Sequence, residues 1–196
     1  MNSIVEIRSY RLPESVPTLV LLDLQKDCID GWHSLETASC ARAISNCRTA
    51  LMHARQMGFP VAFVRRPPKS DGPVAAARWI DGFEPRGSEM VFDREKPSCF
   101  ASALFADAMA IAGGPIALAG FAGDTACLAS AIDAFHRDHD FTFLSDASAS
   151  RDIAGVAADR VHAVLSDIIG RYGHIAETES WIRITTSTRA RGQLSK

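Results

Sequence analysis

Thr18-Leu19-Val20-Leu21-Leu22 is an unbroken apolar run that stops at a carboxylate, Asp23. A strand buried on both faces reads this way, because neither face needs polar residues. Such strands belong to parallel sheets, whose crossover helices cover both sides. The rest of the chain repeats the theme. From Ser39 to Met57, Cys40, Ile44, Cys47, Leu51 and Ala54 recur at three- and four-residue steps, a helical stripe that Gly58 is placed to end. Val61 to Val64 is a second strand, closed by Pro67-Pro68. Further strands are expected at Glu89–Asp93, Ile116–Gly120, Phe141–Leu144 and within His174–Ile182. Helices are expected over Ser102–Ile111, Thr125–Arg137 (with Leu128, Ala131, Ile132 and Phe135 on its inner face) and Gly155–Ile169.

Alternating strands and helices imply an α/β fold. The expectation is an open, mostly parallel six-stranded sheet in the order 3-2-1-4-5-6, with right-handed crossovers and helices on both faces. No repeat or linker divides the 196 residues, so residues 1–196 are read as one domain with its core over about 15–183. The basic tail around Arg189 and Arg191 is expected to fray. Lys69 to Glu89, rich in Gly, Pro and charge, reads as a long excursion that could carry function.

Composition narrows the function classes. With 21 basic and 23 acidic residues the formal charge is −2, so nothing favours nucleic acid or an anionic membrane as partner. The mixed, charged N-terminus has no signal-peptide core, and a cytoplasmic location is expected. Five cysteines (28, 40, 47, 99 and 127) lack zinc-type spacing and suggest free thiols. The six histidines form no ligand-spaced cluster, and no Walker or dinucleotide fingerprint is present; neither a metal nor a cofactor is expected.

In such sheets ligands bind beyond the carboxyl ends of the strands, where the winding reverses. Strands one and four meet there, and each leads to a candidate residue. Asp23 follows strand one directly; it reads either as a loop cap or as a carboxylate with an altered pKa. Strand four leads through Gly123 to Cys127, in the first turn of a helix capped by Asp124 or Thr125. Helix-terminal N–H groups could lower the thiol pKa from about 8.5 into the range of about 3.5–7.5. The other reading of Cys127 is a small core residue. Lys96, in Asp93-Arg94-Glu95-Lys96, reads on spacing alone as a solvated surface group.

Three segments in order resemble the isochorismatase-like cysteine hydrolase family, which includes nicotinamidases, N-carbamoylsarcosine amidases and isochorismatase. They are Leu22-Asp23-Leu24-Gln25-Lys26-Asp27, Lys96-Pro97-Ser98-Cys99-Phe100, and Phe121-Ala122-Gly123-Asp124-Thr125-Ala126-Cys127-Leu128. Asp146-Ala147 also fits, so the resemblance spans Thr18 to Ile182. It implies a catalytic triad of Asp23, Lys96 and Cys127. It also implies a non-proline cis peptide at Ala122–Gly123 and an oxyanion hole from the N–H groups of Gly123 and Cys127. The implied reaction is hydrolysis of a small amide, carbamoyl or ureido C–N bond through a thioester. A homo-oligomer, dimer or tetramer, is expected on the same ground. Three departures stand out. Cys28 replaces a common aromatic, the turn reads Gly123-Asp124-Thr125, and Arg65 to Asp71 lacks the histidine of the zinc-bearing members.

Gln25, Trp32, Trp79, Phe83 and Arg86 are candidates for lining a pocket for a small-molecule substrate, with Arg86 suited to a carboxylate; the aromatics could instead pack under their own loop or at a subunit contact. Alternatives to the amidase are an isochorismatase-type ether hydrolase, a non-catalytic oligomeric scaffold and a thiol-redox protein.

Overall fold

The computed structural model describes residues 16–26, 38–67 and 78–194. Trp32 and Cys28 lie outside the described residues. The six strands are β1 (Thr18–Leu22), β2 (Val61–Arg65), β3 (Met90–Asp93), β4 (Ile116–Gly120), β5 (Phe141–Ser148) and β6 (His174–Ala176). They form one sheet in the order β3-β2-β1-β4-β5-β6, and every pairing is parallel. The expected α/β class and strand order are both observed. Helices α1 (Ala38–Met57), α2 (Ala103–Ala112), α3 (Leu128–His136), α4 (Ala158–Ile169) and α5 (Thr178–Leu194) complete the described secondary structure of any length. None of these helices is long and apolar enough to cross a membrane.

All five residues of β1 are buried, and successive side chains go to opposite faces. Leu19 and Leu21 enter a core with Phe63, Cys47, Leu51 and Trp181. Val20 and Leu22 enter another with Phe105, Met109, Phe143 and Cys127. Each fully buried Leu or Phe contributes about 1.5–3 kcal/mol relative to exposure, so these two layers supply most of the driving force.

The C-terminal region departs from expectation. β6 lies at His174–Ala176, inside the expected His174–Ile182, and a helix not expected from the sequence follows it over Thr178–Leu194. Its start is tied down: the Asp146 carboxylate accepts from the Thr178 N–H (2.8 Å) and hydroxyl (2.7 Å), a cap supplied from β5. Trp181 then buries its ring beside Phe59 and His53. His53 also bonds the Thr185 hydroxyl at 2.9 Å, joining α1 to α5.

Burial lowers the His53 pKa below its ordinary value. The unfolded chain therefore takes up this proton more readily, and the associated stability is complete above pH ~6.5 and declines as pH falls below it. A urea titration at pH 7.5 and 5.5 checks this: His53→Gln should lose less stability across the interval than the wild type. An equal loss in both would refute the assignment.

Candidate active site

Asp23, Arg66 and Arg94 are the first residues after β1, β2 and β3. Three adjacent parallel strands thus end in charges at one level of the sheet. Asp23 holds φ at +50°, a left-handed conformation uncommon for a residue other than glycine. Its N–H donates to Val64 O at 2.9 Å, and that bend directs the carboxylate toward the neighbouring strand exits. The carboxylate is buried and pairs with the Arg94 guanidinium, itself only 2% exposed, through a short charge-assisted hydrogen bond. Arg66 reaches the same oxygen at 3.2 Å, but its side chain is 58% exposed.

Lys96 does not take the expected place beside Asp23. It is exposed, and its backbone carbonyl accepts from Arg94 instead. The physical reason is reach: Arg94 leaves β3 directly at the sheet's edge of the crevice, whereas Lys96 lies two residues farther along a surface turn. The cation facing Asp23 is therefore a guanidinium.

Cys127 also departs from its expected role. Its side chain is fully buried, and its sulfur lies 3.5 Å from Gly120 O and 3.6 Å from the Ser148 hydroxyl. It heads a stripe with Ser130, Ala131 and Ala134, all buried, that presses α3 onto the sheet. The large residues assigned to that inner face behave otherwise: Leu128 and Ile132 are partly buried and Phe135 is 48% exposed. Small side chains go inward because α3 lies close to the sheet. Desolvation pushes the Cys127 thiol up to about 12; the nearby Asp23 charge adds to this, while Ser148 and Arg94 oppose it. The lowering expected at a helix N-terminus is outweighed by burial.

In the turn before α3 the cis peptide lies one residue earlier than expected. The cis peptide is Phe121–Ala122, not Ala122–Gly123. The Gly123 N–H is bonded to Ala149 O (2.8 Å) and the Cys127 N–H to Ala122 O (3.1 Å), so neither is open to an oxyanion. A Cβ on Gly123 would lie 2.8 Å from Ser150 Oγ and 3.0 Å from His162 Nδ1, which is why glycine stands there. Those two side chains bond each other at 3.0 Å and brace the turn against α4.

What opens to solvent at this end of the sheet is a cleft whose wall includes Arg66, Arg94 and Lys96 on one side. Thr125, Ala126 and Arg151 line the other. Asp23 sits one contact behind this wall, covered by its two arginines. Two buried atoms in the wall, Arg94 Nε and Thr125 Oγ1, meet no hydrogen-bond partner among the described residues. Arg151 is fastened by the Asp124 carboxylate at 2.9 Å.

The remaining pocket candidates are placed elsewhere. Gln25 is fully buried and bonds the Arg66 backbone twice, at 3.0 and 3.1 Å, so it positions Arg66 rather than a ligand. Trp79 pairs its backbone with Gln25 and packs on Phe63. Phe83 is core, with the Arg48 guanidinium 5.2 Å over its ring. Arg86 is exposed on the excursion and does not line the cleft. Arg66, Arg94 and Arg151 were given no role in the sequence reading, and Thr125 only that of a possible helix cap. The available signal was position: the strand-exit rule that selects Asp23 selects Arg66 and Arg94 equally well.

Comparison with known proteins agrees with the topology. The isochorismatase domain profile matches residues 17–180. An isochorismatase from Pseudomonas putida is similar at 25% identity and TM-score 0.77, covering 85% of this chain and 90% of its own. A cysteine hydrolase from Pseudomonas syringae pv. phaseolicola shares 20% identity and a TM-score of 0.79, over 91% and 97% of the two chains. N-carbamoylsarcosine amidase from Thermoplasma acidophilum shares 20% identity and a TM-score of 0.67, over 83% and 96%. At 20% these last two likenesses concern the fold. No curated protein matches the chain by sequence.

Proposed function

The chain belongs to the isochorismatase domain family, and from that premise we propose that it is a hydrolase whose reaction takes place in the cleft at the strand exits. The reaction is water-driven hydrolysis of a small substrate, with Asp23 carrying the proton and no covalent enzyme intermediate. The observation behind this reading is the buried Asp23 carboxylate, held by Arg66 and Arg94 behind a cleft lined beyond them by Thr125, Ala126 and Arg151, with no thiol in its lining.

The steps balance as follows. Once Arg66 moves off, Asp23 takes a proton from water, and the hydroxide oxygen bonds to the substrate's electrophilic carbon. The displaced electron pair settles on the carbonyl oxygen, where the cationic lining of the cleft offsets its charge. That pair returns, the bond to the leaving nitrogen or oxygen breaks, and Asp23 gives its proton to the leaving atom. Amide, ureido and ester-like substrates all fit this scheme.

The thioester route would need Cys127 to reach the cleft as a thiolate, against its burial and its raised pKa. Cys127→Ala should therefore keep turnover within a few-fold and cost about 1 kcal/mol of stability from the lost packing. Turnover is read by ammonia release or product absorbance across a panel of small amides, ureido acids and enol ethers. Intact-mass spectra during turnover should show no adduct. Loss of activity in a Cys127→Ala protein that melts like the wild type would restore the thiol mechanism. A second reading, a binding protein without catalysis, is favoured by the covering of Asp23. It would be adopted if the panel gave no turnover at any pH.

A further inference from the structure

We infer that α4 and the turn before it form a contact surface for a second copy of this chain, the two copies lying antiparallel about a two-fold axis near Val164.

The turn holds out the first apolar groups. Ile153 and Val156 exchange backbone hydrogen bonds of 3.1 and 2.9 Å. Ala154 and Gly155 between them take positive φ, +51° and +79°. A tight two-residue turn thus presents two branched side chains, 47% and 46% exposed. Asp152 accepts from the Ala158 N–H at 2.7 Å and fastens this turn to the start of α4.

The helix continues the surface. Ile169 is buried, but Val161, Leu165 and Ile168 are half-buried and Val164 is 59% exposed. Val161 and the residues three, four and seven places on share one side of a helix, so these four make a stripe. The sheet takes only its edge. An apolar surface left open in this way marks an interaction site. The charged residues of α4 are Asp159, Arg160 and Asp167, a set without the basic excess that draws a helix to a membrane.

Charge identifies the occupant. Arg160 and Asp167 are seven residues apart and therefore flank the stripe on the same side. Both are exposed, and neither has an ion pair among the described residues. A two-fold axis across antiparallel helices reverses each helix but keeps its flank on the same side. Arg160 then meets the partner's Asp167, and Asp167 meets the partner's Arg160. Val164 packs near the axis, with Val161 toward the partner's Ile168. An unrelated partner would have to reproduce this pattern, whereas a second copy supplies it by symmetry.

The test is sedimentation velocity on the full chain between about 1 and 100 µM. The wild type should sediment as a dimer or a larger even-numbered assembly. Val164→Asp should halve that mass and leave the far-ultraviolet circular dichroism unchanged. Ile111→Asp, on α2 where the side chain is 87% exposed, should leave the assembly intact. Arg160→Asp and Asp167→Arg should each weaken association about tenfold or more, because each sets like charges face to face. Mixed in equal amounts, these two variants should recover the wild-type affinity within a few-fold, since every facing pair is then opposite in sign. A wild type that stays monomeric at about 100 µM overturns the inference, as does Val164→Asp with undiminished mass. A mixture that associates no better than either variant alone overturns the antiparallel pairing.

Discussion

Asp23→Asn is expected to lower turnover by about 10²–10⁴, the usual contribution of a positioned proton-transfer group. Asparagine keeps the size and one acceptor oxygen, so the crevice stays filled. It takes no proton from water and has none to return to the leaving atom. The substitution also leaves Arg94 buried without its anionic partner, so some stability is lost as well. Activity must therefore be expressed per mole of folded protein, with the melting curve measured beside it. Two outcomes separate chemistry from folding. A fall of this size in a variant still folded at assay temperature supports the mechanism. Turnover within a few-fold of wild type would remove Asp23 from the chemistry, even if the melting temperature dropped.

Arg94→Ala should destabilise the protein by about 3–5 kcal/mol, because it strands the buried Asp23 carboxylate. Arg66 remains at 3.2 Å and should hold the loss toward the lower end, since its exposed position leaves the pairing weakened by water. The removed side chain also leaves a gap under the cleft wall, which adds to the loss. Denaturant titration measures it. A double variant, Asp23→Asn with Arg94→Met, removes the stranded charge and restores apolar packing, so it should recover part of the difference. If Arg94→Ala unfolds at the wild-type midpoint, the ion pair is not a structural element. If the double variant is no better than Arg94→Ala, the loss belongs to packing rather than to charge.

Much of this arrangement was legible in the amino-acid sequence. The run Thr18–Leu22 marked a central strand because five consecutive buried positions leave no solvent face to encode. From that and the alternation of elements the sheet order followed. The site was half legible. Asp23 was found by its place at a strand exit, but the choice of Lys96 relied on the resemblance of a charged run, in which spacing alone cannot say which cation turns inward. Only the end of β3 at Asp93 makes Arg94 the inward one. Cys127 was misplaced for a different reason. Its setting before a helix suits a thiolate in the abstract, yet the same position opens the stripe of Ser130, Ala131 and Ala134. Reading that stripe required expecting small residues inside and Phe135 outside, against the usual weighting by size. The α5 helix was missed because its cap comes from Asp146, far away in the chain.

The placement of the sulfur atoms has a practical consequence. Cys40 and Cys47 are buried on one side of the sheet, and Cys99 and Cys127 on the other. Burial raises the pKa of all four. Each can be alkylated only when its own layer breathes, so the chain carries two natural clocks, one per layer, without any engineered label. Peptide mapping after timed exposure to a maleimide would tell whether the two halves of this protein loosen together or in turn.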